Sequence, residues 1–402
     1  MKKITHCRIC RGIKFSTILN LGKLFYTGRF PKKNEKIPRA IIKLIKCECC
    51  DLVQLEHNYD KNQMFGKFYG YHSSLNKWMQ NHLKKNVLNL KKYIASEDYI
   101  IDIGSNDATT LNFFPKSNKK IGFDPSAKKF KKNYTNNSKL ICNYFNFKSI
   151  KKIKLQNKVK LITSFAMFYD LENPIKFAKD IKQTLSNDGV WCLEQSYLPS
   201  MIKTNAFDTI CHEHLEYYSL KQIEFIMLKS GLRVFDISFN KANGGSFNCK
   251  VCKLNAKYPT QNSVLKARDK EKKFFAEKNL FKNFVNRVEK IKINLLNTLK
   301  KFKKLKRNIY IIGASTKGNV LLQYFKIDNK IISGIGEINS EKYNCYTPGT
   351  NIKIISEKKV LSDNKGVYLI LPWHFKENFL ENKKLKNRIK IFPLPNVNVI
   401  KR

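Results

Sequence analysis

From residue 99 onward, short apolar runs alternate with longer stretches of helical period. Residues 99–104, 120–124, 140–143, 160–165 and 189–195 are compact apolar runs bounded by Gly, Asn, Asp or Pro, and they read as buried strands. A helix is expected from Asn76, where Trp78, Met79, His82, Val87 and Leu90 recur at roughly helical spacing. A second helical stretch covers residues 174–185. Alternating strand and helix predicts an α/β fold with a doubly wound parallel sheet. Residues 266–305 are rich in lysine yet periodic: Phe281, Phe284, Val285, Val288, Leu295, Leu299 and Phe302 mark one apolar helix face, which makes the lysines its solvated side. Strand signals at 308–313, 331–337 and 366–371, with helix signals at 320–325, predict a second, smaller α/β domain. No repeat at a fixed solenoid period is visible.

A length of 402 residues leaves room for two or three domains. Hydrophobic residues make up 42% and aromatic residues 12%, enough for ordinary globular cores. No run approaches the ~20 apolar residues of a membrane span. The opening Met-Lys-Lys-Ile-Thr-His-Cys has no apolar signal core, so a cytoplasmic location with 11 reduced cysteines is expected. The formal net charge of +46 points by itself toward nucleic acid or an anionic membrane. The lysines, however, are spread over every segment together with Asn, Ile, Phe and Tyr, which is the signature of A/T-rich codons. No Arg-rich arm or nucleic-acid motif accompanies them, so neither nucleic acid nor membrane is expected as a partner. The basic surface instead favours a phosphorylated substrate.

Two C-x-x-C pairs, Cys7/Cys10 and Cys47/Cys50, carry the first chemical signal. Without a secretory signal, such knuckles read as a tetrahedral structural Zn2+ site, with free or redox thiols as the alternative. Cys49 is the spare thiol, and Asp51 takes the place after the last ligand where glycine is common, because Asp tolerates a left-handed backbone. The second signal is Ile100-Ile101-Asp102-Ile103-Gly104-Ser105-Asn106-Asp107-Ala108-Thr109, an apolar strand entering a small-residue turn and then a helix. Asp124 follows about 20 residues later at the end of the next strand, where a carboxylate accepts ribose hydroxyls. Asp102, Gly104, Ser105, Asn106 and Asp124 are the candidate cofactor-binding residues. Carboxylates in this loop suit the cationic amino group of S-adenosyl-L-methionine and do not suit a pyrophosphate; a strand–turn–helix with no ligand is the alternative.

The order of further motifs widens the picture. Tyr71-His72-Ser73-Ser74, Phe123-Asp124-Pro125-Ser126, Glu194-Gln195-Ser196-Tyr197, Cys211-His212-Glu213-His214-Leu215-Glu216-Tyr217-Tyr218-Ser219, Asn243-Gly244-Gly245-Ser246-Phe247, Gly313-Ala314-Ser315-Thr316-Lys317-Gly318-Asn319 and Leu371-Pro372-Trp373-His374-Phe375 follow one another. In that order, across essentially the whole chain, they resemble the bacterial NDP-sugar C-methyltransferase family. The resemblance implies a zinc-binding domain, a class I (Rossmann-like) S-adenosylmethionine methyltransferase domain and a C-terminal Rossmann-like domain that helps hold the nucleotide-sugar. The corresponding boundaries are 1–75, 76–255 and 256–402. The family's Tyr-His-Glu-His segment maps its catalytic base onto His214, with Glu213 beside it, and puts Cys211 where the Tyr stands. Ala108 replaces a usual Gly in the cofactor loop, and residues 165–172 depart from the pattern of the antibiotic-sugar enzymes.

The chemistry of C–C bond formation on a sugar constrains the reading further. A ring carbon becomes nucleophilic only beside a ketone that delocalises its charge, so a 4-keto-deoxysugar methylated at C3 through an enolate is expected. A positioned base supplies roughly 10²–10⁴-fold, and enolate stabilisation and orientation must supply the rest. Histidine suits the base because its ordinary pKa lies near neutrality. For His214, packing against Tyr217 and Tyr218 is an alternative, and so is metal binding with His212 on one strand face. Tyr71 is expected to bind substrate or stabilise the enolate, with core packing as its alternative. Ser315, Lys317 and His374 are the candidate substrate-binding residues, Lys317 toward a phosphate. Methyl transfer to an oxygen or nitrogen of the same sugars, or a zinc-containing nucleic-acid methyltransferase, are the competing functions. The oligomeric state is open.

Overall fold

The computed structural model describes residues 1–65, 72–135 and 137–401. Tyr71 lies outside the described residues. The N-terminal part is a four-stranded antiparallel sheet, Phe15–Phe25, Arg39–Cys47, Val53–Leu55 and Glu216–Tyr217. Its last strand comes from far along the chain, so the Glu213–His214 turn is anchored to the zinc module by strand pairing. Asp51 has φ 61°, the left-handed conformation expected of it.

The central sheet has seven strands. In spatial order they are Leu232–Asn240, Ser246–Lys253, Leu185–Ser196, Val159–Phe165, Tyr99–Ile103, Lys119–Phe123 and Ser138–Ile141. Ser246–Lys253 runs antiparallel to both neighbours, and the remaining pairs are parallel. Counted in chain order, the strands lie 3-2-1-4-5-7-6, the doubly wound class I methyltransferase arrangement. The five strands read from apolar runs are all present, because strands covered on both faces are apolar throughout. Strands Leu232–Asn240 and Ser246–Lys253 carry polar residues such as Asp236, Asn240, Asn248 and Lys250 and escape that reading.

The lysine-rich stretch forms two helices, Asn262–Phe275 and Leu280–Lys304, separated where Asn279 takes φ 59°. The second buries Leu280, Phe284, Val288, Ile291, Leu295 and Leu299, essentially the expected face. The first packs Val264 and Ala267 into the core of the central sheet. The C-terminal sheet has spatial order Ile354–Ser356, Gly334–Glu337, Ile309–Ile312, Val367–Ile370, Ile389–Phe392 and Asn398–Lys401. All pairs are parallel except the last, which makes a second Rossmann-like sheet. Among the described residues no helix is long and apolar enough to cross a membrane.

Candidate active site

Ligands of doubly wound sheets bind beyond the carboxyl ends of the strands, where the strand order reverses. The central sheet reverses between Tyr99–Ile103 and Val159–Phe165, and the C-terminal sheet between Ile309–Ile312 and Val367–Ile370. The loops leaving all four strands line one cavity of about 890 Å³: Gly104–Asn106, Ala166–Asp170, Gly313–Lys317 and Leu371–His374 all contribute. Two crevices that each suit a nucleotide-like ligand therefore open into a common space.

On the central side, Gly104 has φ +76° and donates its amide to Phe123 O at 2.8 Å, which turns the chain tightly off the strand. Asp124 ends the next strand. Its Oδ2 accepts from Asn106 N at 2.9 Å, and its Oδ1 accepts from Ser126 N and Ser126 Oγ, both at 2.7 Å. About one of a carboxylate's four lone-pair sites is left for a further donor. Ser105 Oγ meets the Tyr134 hydroxyl at 2.8 Å. Asp102 accepts from Thr163 Oγ1 at 2.6 Å, and burial, with Asp124 nearby, raises its carboxyl to about 7. Residues after the undescribed segment cover this loop: Ser73 N donates to Asn106 Oδ1 at 3.1 Å and Ser74 N to Asp107 Oδ2 at 2.8 Å. The acidic, glycine-turned crevice fits S-adenosylmethionine, which supplies an electrophilic methyl group on a sulfonium.

His214 and Glu213 sit in a turn just before the short strand Glu216–Tyr217 and line the same cavity. His214 Nδ1 lies 2.9 Å from Thr209 O. A carbonyl only accepts, so Nδ1 carries the hydrogen and Nε2 of the neutral ring holds a lone pair. Among the described residues Nε2 has no hydrogen-bond partner. The ring packs on Tyr169, centroids 4.3 Å apart, instead of on Tyr217 or Tyr218. Burial first, and the Lys317 charge second, depress its proton affinity to about 3. His212 does not share its face. It is wedged between Tyr26 and Tyr59, ring centroids 4.8 and 5.0 Å away, with Nε2 on Ala40 O at 3.3 Å. The two histidines sit on a turn, so the alternation expected of a strand does not bring them together.

Glu213 is buried, its Oε2 has no partner, and burial raises its carboxyl. Gly28 of the zinc module touches it closely: a Cβ there would lie 2.2 Å from Glu213 Oε1. Among the substrate candidates, Ser315 caps the helix Thr316–Phe325 by accepting from Gly318 N at 3.0 Å. Lys317 donates to Asn243 O at 3.2 Å. His374 faces the cavity with its Nδ1 unpartnered, and burial keeps it neutral.

Two further carboxyls line the cavity without an assigned role in the sequence reading, although Glu194 stands in one of the ordered motifs. Glu194, at the end of a central strand, lines the cavity and accepts from His82 at 2.5 Å, Asn240 Nδ2 at 2.9 Å and Asn86 Nδ2 at 3.0 Å. Asp170 lines it too, with Oδ1 unpartnered and its carboxyl raised by burial and by Glu213 and Glu216. Buried carboxyls at strand ends become recognisable only once the sheet order is known.

Far from the cavity, Cys7, Cys10, Cys47 and Cys50 bring their four Sγ atoms within 4.8 Å of one another. Cys7–Cys50 and Cys10–Cys47 are 3.6 and 3.5 Å apart. A tetrahedron of ~2.3 Å Zn–S bonds has edges of about 3.8 Å, so four thiolates at this spacing fit Zn2+ and leave no open position for catalysis. Cys49 is exposed and outside the cluster.

Comparison with known proteins agrees with this organisation. Residues 7–65 match a zinc binding domain model, 75–237 a methyltransferase domain, and 241–395 the C-methyltransferase C-terminal domain. The C-methyltransferase NovU of Streptomyces niveus is 23% identical over 411 residues, spanning 100% of this chain and 98% of that protein. Solved structures match over part of the chain. The mitomycin 7-O-methyltransferase MmcR gives 11% identity and a TM-score of 0.35 over 45% of this chain and 55% of that one. The plantazolicin methyltransferase BpumL in complex with SAH gives 13% and 0.34 over 43% and 82%. A SAM dependent methyltransferase from Aquifex aeolicus gives 17% and 0.33 over 45% and 98%. The chain thus carries a zinc-binding, a methyltransferase and a C-methyltransferase C-terminal domain in that order, and is an S-adenosylmethionine-dependent C-methyltransferase.

Proposed function

We propose that the protein methylates C3 of an NDP-linked 4-keto-deoxysugar through an enolate, with His214 as the base. One observation carries this reading: an imidazole held by Thr209 O through Nδ1, with no partner on Nε2 among the described residues, lines a cavity shared by two Rossmann-type crevices. The methyl donor belongs to the acidic crevice around Asp102 and Asp124. The nucleotide-sugar belongs to the crevice of the C-terminal sheet, beside Ser315, Lys317 and His374. We place the functional units at 1–75, 76–255 and 256–402, with the sugar ring between the last two.

Burial and the Lys317 charge keep the imidazole neutral at pH 7, so its lone pair is available. They also weaken it as a base, and the proton transfer therefore relies on stabilisation of the enolate elsewhere in the site. Burial raises the Glu213 carboxyl above its usual range, and in its protonated form it can donate a hydrogen bond to a sugar oxygen. The zinc module stiffens the turn that carries both residues, through the pairing of Glu216 and Tyr217 with Gln54 and Val53. The test is incubation with labelled S-adenosylmethionine and a panel of nucleoside-diphosphate 4-keto-6-deoxyhexoses deuterated at C3. Loss of the C3 deuterium to water and a methyl group on carbon are expected, and both should vanish in His214→Asn. Methylated product that retains its C3 deuterium would instead mark an O- or N-methyltransferase.

A further inference from the structure

Lysines from three regions of the chain line the cavity: Lys61, Lys176, Lys317 and Lys342. Three have carboxylate partners. Lys61 lies 3.4 Å from Glu172, Lys176 2.9 Å from Asp180, and Lys342 3.8 Å from Glu337. Lys317 forms no ion pair among the described residues. Its Nζ reaches out of the C-terminal domain to the Asn243-Gly244-Gly245 turn of the central part, meeting Asn243 O at 3.2 Å and Asn243 Oδ1 at 3.5 Å. Lys317 is the second residue of the helix Thr316–Phe325, and the helix cap at Ser315 fixes where its stem starts. An ammonium has three donors, and Asn243 takes at most two.

The position of this charge relative to the base is informative. Lys317, His214 and His374 line the same cavity, and after burial the Lys317 charge is the next cause that lowers the proton affinity of both histidines. Burial lowers the proton affinity of Lys317 itself, and Asp208, whose buried carboxyl accepts from the Trp373 indole N–H at 2.9 Å, acts in the opposite direction. Of the four cavity lysines, Lys317 is the one without a carboxylate partner among the described residues, and it is anchored on the Asn243 turn of the central part.

We infer that Lys317 is a catalytic residue of the enolisation step, donating a hydrogen bond to the sugar's C4 oxygen as negative charge develops there. This rests on the reading given under Proposed function. In that step the C3–H bond breaks toward His214 Nε2. The bonding pair moves between C3 and C4, and the carbonyl pair moves onto the C4 oxygen. His214 gains the proton and the positive charge, the oxygen gains the negative charge, and the ammonium already in place compensates it. No oxidant or reductant is involved. An ammonium in a dehydrated cavity stabilises such an oxyanion far better than water does. His214 sits in the turn before Glu216–Tyr217, a strand of the N-terminal sheet, and Lys317 in the helix Thr316–Phe325 of the C-terminal part, so the catalytic pair is assembled only by tertiary packing.

The experiment separates this role from phosphate binding and from the parent reading. Wild type, Lys317→Met and Lys317→Arg are incubated in D2O with uridine-, thymidine-, guanosine- and cytidine-diphosphate 4-keto-6-deoxyhexoses and with S-adenosylhomocysteine in place of the methyl donor. Hydrogen exchange at C3 is followed by NMR. Lys317→Met is expected to lower exchange and methyl-transfer kcat together, by about 10²–10³-fold, the loss typical of one oxyanion donor. Affinity for the free nucleoside diphosphate and for S-adenosylhomocysteine should stay within threefold. Lys317→Arg, which keeps the charge, should recover part of the exchange. Undiminished exchange in Lys317→Met overturns the assignment. So does a rise in the Kd for the diphosphate that accounts for the loss, because Lys317 is then a phosphate ligand. Absence of exchange in the wild type with every sugar overturns the enolate reading itself.

Discussion

Gly28→Ala tests whether the zinc module positions the reacting groups. A Cβ at residue 28 would fall 2.2 Å from Glu213 Oε1, and real Cβ atoms essentially never come within 3.0 Å of another heavy atom, so something must shift by at least 0.8 Å. Glu213 Oε1 is the end of a flexible side chain that lines the cavity, so the carboxyl can yield in that direction. That carboxyl, or the loop after strand Phe15–Phe25, must move. A displacement of about 1 Å at a reacting group costs up to ~10²-fold, or about 2.7 kcal/mol in the barrier. The expected result is a kcat lowered by about 10–10²-fold, with S-adenosylmethionine affinity unchanged, because Gly28 is remote in sequence and sheet from the Asp102–Asp124 loop. The assay is steady-state methyl transfer in a double-mutant cycle with Glu213→Gln. If Gly28 acts through Glu213, adding Gly28→Ala to Glu213→Gln should cost little more. Wild-type kcat in Gly28→Ala, or fully additive losses in the cycle, would refute the idea that this contact places the carboxyl.

Three further outcomes follow from the geometry. His214 is depressed to about 3, so the acid limb of the C3 exchange rate should not fall at pH 6.5 as for an ordinary imidazole. It should lie well below that, and in Lys317→Met the residual rate should show a limb at higher pH, because a charge that disfavours imidazolium has gone. Asp102 titrates near 7, so below that pH its carboxyl is mostly protonated, and the ammonium of S-adenosylmethionine favours the ionised form. Binding should therefore release a proton at pH 6 and tighten as pH rises toward 8, which calorimetry in buffers of different ionisation enthalpy reads directly. Chelation should remove one Zn2+ per chain and abolish turnover while S-adenosylhomocysteine binding survives, since Cys7, Cys10, Cys47 and Cys50 hold the module that braces Glu213 and none of them lines the cavity.

The local chemistry was legible before the fold. Two C-x-x-C pairs name four zinc ligands because a tight turn presents two sulfurs whatever the rest of the chain does. The run from Ile100 to Thr109, with Asp124 on the next strand, marks a cofactor crevice because adjacent parallel strands carry such groups to one edge. The order of motifs pointed to His214, which lies on the cavity, but not to its ring neighbour: Tyr169, on a different loop, packs against it, and the alternative of packing on Tyr217 and Tyr218 is not what the fold shows. Strands with mixed faces, such as Ser246–Lys253, were missed because their polar residues form a buried network around Glu194 instead of facing solvent.

Spacing along a chain encodes contacts within a turn or between neighbouring strands, and these features belong to the sequence alone. Contacts between residues hundreds of positions apart depend on how whole sheets stack, which no local period records. The tertiary structure therefore decided that Gly28 meets Glu213, that Lys317 reaches Asn243, and that two nucleotide-type crevices open into one cavity. Burial is collective in the same way. The sequence supplies an imidazole and an ammonium, and the packed interior holds the one neutral and gives the other no ion pair among the described residues.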